Sequence, residues 1–203
     1  MERKGITNQD VEHALSYLQG QEKAISVRKA LSFPLADNEK QAKSRLKNVA
    51  MSADKTISDF RWLPEYDKVC GWMVNPDGKG LILSGDSGRL KSTIIMLVLP
   101  VLFKLQYDMV VRPIESESIG EMWQKLIHSP VIIVDDAGVE TFANEYGARY
   151  EPFSRLVDMC EKKSKVLIVS TNLNSEQLEQ RYGSRTTDRL DRLCLPVPFK
   201  GKS

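Results

Sequence analysis

The sequence predicts an α/β protein: a largely parallel sheet covered by helices on both faces, a three-layer αβα sandwich preceded by a helical N-terminal arm. Three observations carry this. Aliphatic runs at 81–83, 131–134 and 166–169 alternate with amphipathic stretches of helical length. The runs are continuously apolar, as strands buried on both faces are. Each also ends in small or polar residues, so the chemistry gathers at the carboxyl ends of parallel strands.

The chain has 203 residues, 41% hydrophobic and 28% charged, which suits one globular domain with a modest appendage. Collagen-like, coiled-coil and wholly disordered chains are excluded. With 29 basic and 27 acidic residues the formal charge is +2, which excludes a polycationic DNA coat but not a local basic patch. Cys70, Cys160 and Cys194 are odd in number and far apart, and read as reduced core thiols of a cytoplasmic protein. Two histidines, His13 and His128, exclude a His-rich metal site and argue against a serine triad. No stretch approaches the ~20 apolar residues of a membrane span, and the first residues lack the apolar core of a secretory signal, so no membrane partner is expected.

In chain order, residues 1–57 form the expected arm, a helical, basic partner-binding region with ten basic and seven acidic side chains. Thr7 or Asn8 caps a helix to residue 19, with Val11, Ala14, Leu15 and Leu18 on one face. Further helices are expected over 21–31 and 37–51. From residue 58 aromatic bulk appears (Phe60, Trp62, Tyr66, Trp72), and Asn75-Pro76-Asp77-Gly78 is a turn. Strands are then expected at 81–84, 108–112, 131–134, 165–170 and 194–199, and helices at 91–105, 119–127, 152–162 and 175–182. Pro196 and Pro198 place the last strand at an edge.

The most informative segment is the strand-to-helix turn from Gly85 through Asp86, Ser87, Gly88, Arg89, Leu90, Lys91, Ser92 and Thr93. Such a loop turns backbone N–H groups inward, and the helix N-terminus adds positive potential. Lys91 would reach β- and γ-phosphates, and the Ser92 hydroxyl would ligate Mg²⁺. Strand, loop, Lys-Ser and helix in this order predict a P-loop NTPase, with one break in G-x-x-x-x-G-K-[ST]: Leu90 stands where glycine is expected. Its side chain would crowd the approach to the phosphates, leaving open a loop that binds nucleotide poorly, or none.

Asp135 and Asp136 follow four aliphatics about forty residues after Lys-Ser. There Asp135 would hold Mg²⁺ and Asp136 would polarise the attacking water. Asn172, at the tip of the next strand, would hydrogen-bond that water or a phosphate oxygen. Arg181, Arg185, Arg189 and Arg192 then crowd twelve residues. They read either as a solvated helix face laced with Asp188 and Asp191, or as the source of an arginine that neutralises a neighbouring protomer's γ-phosphate.

Taken in series, residues 85–92, Val134-Asp135-Asp136-Ala137-Gly138, Ser170-Thr171-Asn172-Leu173 and the Arg185/Arg189-Leu190 pattern resemble the AAA+ ATPases of the DnaC/IstB helicase-loader type, over roughly residues 58–203. The resemblance implies a sheet ordered 5-1-4-3-2, ATP with Mg²⁺ as cofactors, ATP-driven head-to-tail self-association, and a role in placing a replicative DNA helicase on single-stranded DNA. It implies Lys91 and Ser92 as the Walker A pair, Asp135 and Asp136 as the Walker B pair, Asn172 as sensor I, and Arg189 as the arginine finger acting in trans with Arg185 upstream. Residues 198–203 resemble the lead-in to the family's sensor II arginine, which does not follow; with Leu90 in the Walker A glycine position, slow or absent hydrolysis is expected. A transposition helper, a hydrolysis-impaired interaction module and a nucleotide kinase stand as alternatives. The kinase is disfavoured because the arginines cluster after the polar-tipped strand rather than in a lid. Lys40, Lys43, Arg45 and Lys47, and Lys162, Lys163 and Lys165, are candidate phosphate-backbone contacts or solvated faces; Trp62 and Trp72 are core aromatics or base-stacking platforms.

Overall fold

The computed structural model describes residues 31–141, 143–145 and 148–201. The helix expected over 7–19, and all but the last residue of that expected over 21–31, lie outside them.

Helix α1 (Glu39–Ala53) starts where the Asn38 side chain accepts from the Gln41 N–H, and buries Ala42, Leu46 and Ala50. Helix α2 (Pro64–Val74) begins on a proline, which suits a first turn whose N–H groups have no intrahelical partner. After the turn, β1 (Gly80–Gly85) leads through the glycine-containing loop into a continuous helical segment. This is π-helical over Thr93–Val98 and α-helical as α3 (Leu99–Tyr107). Then follow β2 (Ile114–Glu115), α4 (Ile119–Leu126) and β3 (Val131–Asp135), an antiparallel hairpin of β4 (Ala143–Glu145) and β5 (Ala148–Tyr150), and α5 (Pro152–Lys162). The described chain closes with β6 (Val166–Thr171), α6 (Ser175–Tyr182), α7 (Ser184–Leu193) and β7 (Cys194–Phe199).

The main sheet is all parallel, in the order β2-β3-β6-β1-β7. Counting its five strands without the hairpin gives the expected 5-1-4-3-2. Side-chain alternation divides the strands between two cores. Leu81, Leu83, Ile133 and Ile168 face α1, α2 and α3, whereas Ile82, Ile132, Val134, Leu167 and Val169 face α4 to α7. Helix α1 thus shares the core of the sheet: of the segment expected as a separate arm, residues 39–53 lie against the α/β body.

One expected strand is corrected. The strand expected over 108–112 is absent: Asp108 adopts φ +54° as the cap of α3, Val110 is 67% exposed, and Pro113 has no N–H to donate. Strand β2 comes two residues later, where Ile114 and Glu115 pair with Val134 and Asp135. Helix α2 and the hairpin were not expected as elements, and α7 was expected only in one reading of the arginine cluster, as a solvated helix face. Trp72 is a core residue, 2% exposed, whose indole N–H donates to the Lys79 carbonyl at 2.8 Å. Trp62 is half-buried against Phe60 and Tyr66.

A buried polar knot fixes the loop after β3. Glu140 accepts from the Tyr182 hydroxyl (2.5 Å) and the Gly138 N–H (2.9 Å), and Arg181 lies 3.5 Å from Glu140 and 3.6 Å from Glu151. Burial pushes the Glu151 carboxyl up, and its hydrogen bond with Glu140 pushes it further. Burial opposes the Glu140 carboxylate too, but the hydrogen bonds from Glu151, Tyr182 and Gly138 outweigh it and hold its carboxyl below the usual range. A carboxyl raised on folding stabilises the fold below its unfolded pKa, and that stability is lost as pH rises through the folded value. Glu151→Gln, neutral at every pH, is therefore expected to gain stability relative to the unaltered chain as pH rises above 4.5, the ordinary glutamate value. Thermal midpoints across pH check this, and parallel curves would contradict it.

Candidate functional site

The three strand tips converge. Parallel pairing sets β1 beside β6 and β6 beside β3, so Gly85–Thr93, Asp135–Asp136 and Ser170–Asn172 meet at one edge of the sheet. Ser87, Gly88, Leu90, Lys91, Ser92, Thr93, Asp136, Ser170 and Asn172 line a cavity of about 290 Å³ there.

Lys91 is 6% exposed and its ammonium donates to the Gly85 carbonyl (2.8 Å), the Asp86 carbonyl (2.7 Å) and Asn172 Oδ1 (3.1 Å). Asn172 Nδ2 in turn donates to Asp136 Oδ1 at 2.8 Å, so the amide is held from both ends, between the cation and the carboxylate. The Ser92 hydroxyl donates to Asp135 Oδ1 at 3.1 Å, and the Ser170 hydroxyl donates to the same oxygen. Burial lowers the pKa of Lys91, against the upward pull of Asp136, Asp135 and Asp86. The backbone at Asp136 is left-handed, φ +55°, which turns its side chain out of the strand line; its N–H donates to Ser170 Oγ at 3.0 Å. Ser170 was read only as part of a polar tip, yet it binds both the Asp135 carboxylate and the Asp136 backbone N–H.

Leu90 also has a left-handed backbone, φ +60°. That conformation is why a glycine suits this position, since a Cβ there is strained. The leucine side chain packs against the α1–α3 core. Leu90 thus packs against that core while still lining the cavity at the strand tips. Leu90→Gly is expected to leave ATP affinity within about tenfold, or ~1.4 kcal/mol. A larger gain in a titration of both proteins would mean that the leucine does obstruct the phosphates.

Asp86, Ser87 and Gly88 are exposed, and Arg89 is buried at 7% exposure. Thr93 donates to Asp54 Oδ2 at 3.1 Å, linking the helix start to the residue that caps α1. Of the expected site residues, Arg189 alone lies elsewhere. It sits on α7, where it pairs with Asp158 and Glu161 of α5 at 2.7 Å each. Arg185 is exposed on the same helix. Of the basic residues singled out, Lys43 pairs with Asp67, Lys162 with Asp158, and Lys165 donates to the Ser129 carbonyl.

The arrangement is suited to a polyphosphate: a loop at a helix N-terminus, a lysine behind it, and a hydroxyl beside a carboxylate that together fit a hard divalent cation such as Mg²⁺. No protein-family profile matches the chain, and no curated protein sequence matches it. Solved structures do. The DnaC helicase loader superposes with a TM-score of 0.60 at 16% identity, covering 74% of this chain and 98% of that one. The fold is that of the DnaC helicase loader. DnaI superposes with a TM-score of 0.56 at 16% identity over 74% of this chain and 93% of its own. A candidate primosome component from Streptococcus pyogenes serotype M3 gives 0.56 and 16%, over 78% and 89%. The DnaC-type fold accounts for the parallel order and for the meeting of the three strand tips. Among the described residues, no helix is long and apolar enough to cross a membrane.

Proposed function

We propose that the chain is an ATP-dependent replication accessory that helps place a replicative helicase on single-stranded DNA, with nucleotide binding as its assembly switch. The observation that carries this is the unbroken polar chain Lys91–Asn172–Asp136 beside Ser92–Asp135, in a fold shared with helicase loaders.

Lys91 would exchange its carbonyl partners for phosphate oxygens, a short move for an ammonium already aimed into the loop. Ser92 and Asp135 would hold Mg²⁺, which when bound neutralises phosphate charge. Asp136 would accept a proton from water, and Asn172, fixed at both ends, would orient it. A second cavity, about 530 Å³, opens beside Gly88–Leu90 and is lined by Ile57, Leu63, Pro64 and Tyr66; its apolar wall suits a nucleobase. Arg189 would leave its α5 carboxylates to meet a phosphate on the neighbouring protomer, and residues 1–57 would supply the helicase contact.

A second reading, a hydrolysis-impaired interaction module, is favoured by the leucine in a left-handed loop position. Sedimentation with single-stranded DNA separates the two. The switch predicts an ATP-dependent oligomer that is lost in Arg189→Ala; assembly indifferent to ATP would favour the module. A transposition helper would assemble likewise but would not bind the helicase.

A further inference from the structure

Arg89 occupies the middle of a loop suited to phosphates, yet its guanidinium is engaged with protein. Nη2 meets Glu65 Oε1 of α2 at 2.7 Å, and Nη1 donates to the Gly201 carbonyl at 3.1 Å. The same Glu65 oxygen accepts from the Lys200 N–H at 3.2 Å. Asp86, at the start of the loop, donates its N–H to the Phe199 carbonyl (3.2 Å) and accepts from the Gly201 N–H at Oδ2 (3.1 Å). Residues 199–201 are thus stitched to the loop at both Asp86 and Arg89. Burial opposes the Glu65 carboxylate, but the N–H groups of Glu65 and Lys200 and the Arg89 guanidinium outweigh it and hold its carboxyl below the usual range.

Two atoms of the clasp are left over. Glu65 Oε2 and Arg89 Nε are both buried without a hydrogen-bond partner. A planar guanidinium can present Nε and Nη2 together to both oxygens of a carboxylate, and that two-point pairing is the stronger arrangement. The present single-point contact therefore has a nearby alternative that would satisfy both orphaned atoms, and a modest shift of the loop relative to α2 would reach it.

We propose that Arg89 is a positioning residue which couples the phosphate loop to the segment following β7, so that residues 199–201 respond to nucleotide in the loop. The coupling rests on the nucleotide-binding reading above. Loop movement on binding phosphate switches Arg89 from one-point to two-point pairing with Glu65. This alters the hold on Gly201, and the effect is passed on through the backbone groups of Lys200 and Gly201.

The test is amide hydrogen exchange of the whole chain with and without Mg·ATP, alongside a direct ATP titration, for the unaltered protein, Arg89→Ala, Arg89→Lys and Glu65→Gln. Without nucleotide, Arg89→Ala is expected to speed exchange at Lys200 and Gly201 by about tenfold, the scale of a lost charge-assisted hydrogen bond. Saturating ATP is expected to change exchange at these amides by a similar factor in the unaltered chain. That response should vanish in Arg89→Ala, and lysine, which lacks the fork, should not restore it. Glu65→Gln, which keeps the volume, should lose the response too, and serves if the alanine variant does not fold. An equal response in all four proteins overturns the coupling, as does ATP binding to the unaltered chain with no change at 199–201. Absence of ATP binding in the titration overturns the nucleotide reading and the coupling together. The nucleotide-free comparison separates these failures, because it reads the clasp alone.

Discussion

Lys91→Ala is expected to weaken Mg·ATP binding by about a hundredfold or more, with little loss of folded stability. The ammonium uses all three of its donors on Gly85, Asp86 and Asn172 within a buried loop. Each charge-assisted hydrogen bond transferred to a phosphate oxygen is worth about 1.5–3 kcal/mol, so losing two exceeds the ~2.7 kcal/mol of a hundredfold change. The fold loses less, because Asn172 is exposed and water can replace its missing donor. Lys91→Arg is not expected to rescue binding, since a planar fork does not fit a site shaped around a compact ammonium. Equilibrium titration with a fluorescent ATP analogue measures the loss; unchanged affinity would detach the lysine from the ligand.

The largest stability effect is expected at Gly80. A Cβ built there lies 1.7 Å from the Leu167 carbonyl oxygen and 2.6 Å from its carbon. Strand β1 cannot move aside, because Gly80 is paired with Cys194 of β7 on its other edge. Gly80→Ala must therefore force β1 and β6 apart in the middle of the sheet, at a cost of about 3 kcal/mol or more. Gly71, in helix α2, supplies the control: a Cβ there meets nothing within 4 Å. Gly71→Ala should stabilise by about 0.5–1 kcal/mol through helix propensity alone. Urea midpoints at constant slope check both, and equal midpoints would contradict the steric argument.

Much of this was legible in the sequence because burial on both faces leaves unmistakable aliphatic runs. Leu81–Leu83, Val131–Val134 and Val166–Val169 mark three strands directly, and the polar residues that end them meet in space because parallel strands end on one side. Short β2 escaped, since two residues carry no periodicity, and Val110-Val111 supplied a stronger but misleading β signal. Helix α7 was legible only as a solvated face, because Arg185, Asp188, Arg189 and Asp191 outnumber its two buried residues, Thr186, which meets Ser154 of α5, and Leu190. Leu90 was read by its bulk alone; its left-handed backbone and its contact with the core depend on residues far away in sequence. The partners of Arg89 were invisible, because Glu65 and Gly201 lie 24 and 112 positions away and no local pattern links them.

In the proposed function, the loop 85–92 and the Asp135 carboxylate enclose one nucleotide-metal site. Paramagnetic broadening of backbone amide signals by Mn²⁺·ATP tests it most directly. Broadening is expected at residues 85–93, 135–136 and 170–172, and is abolished by Lys91→Ala. Broadening centred on any other part of the surface, or none at saturating Mn²⁺·ATP, would contradict it.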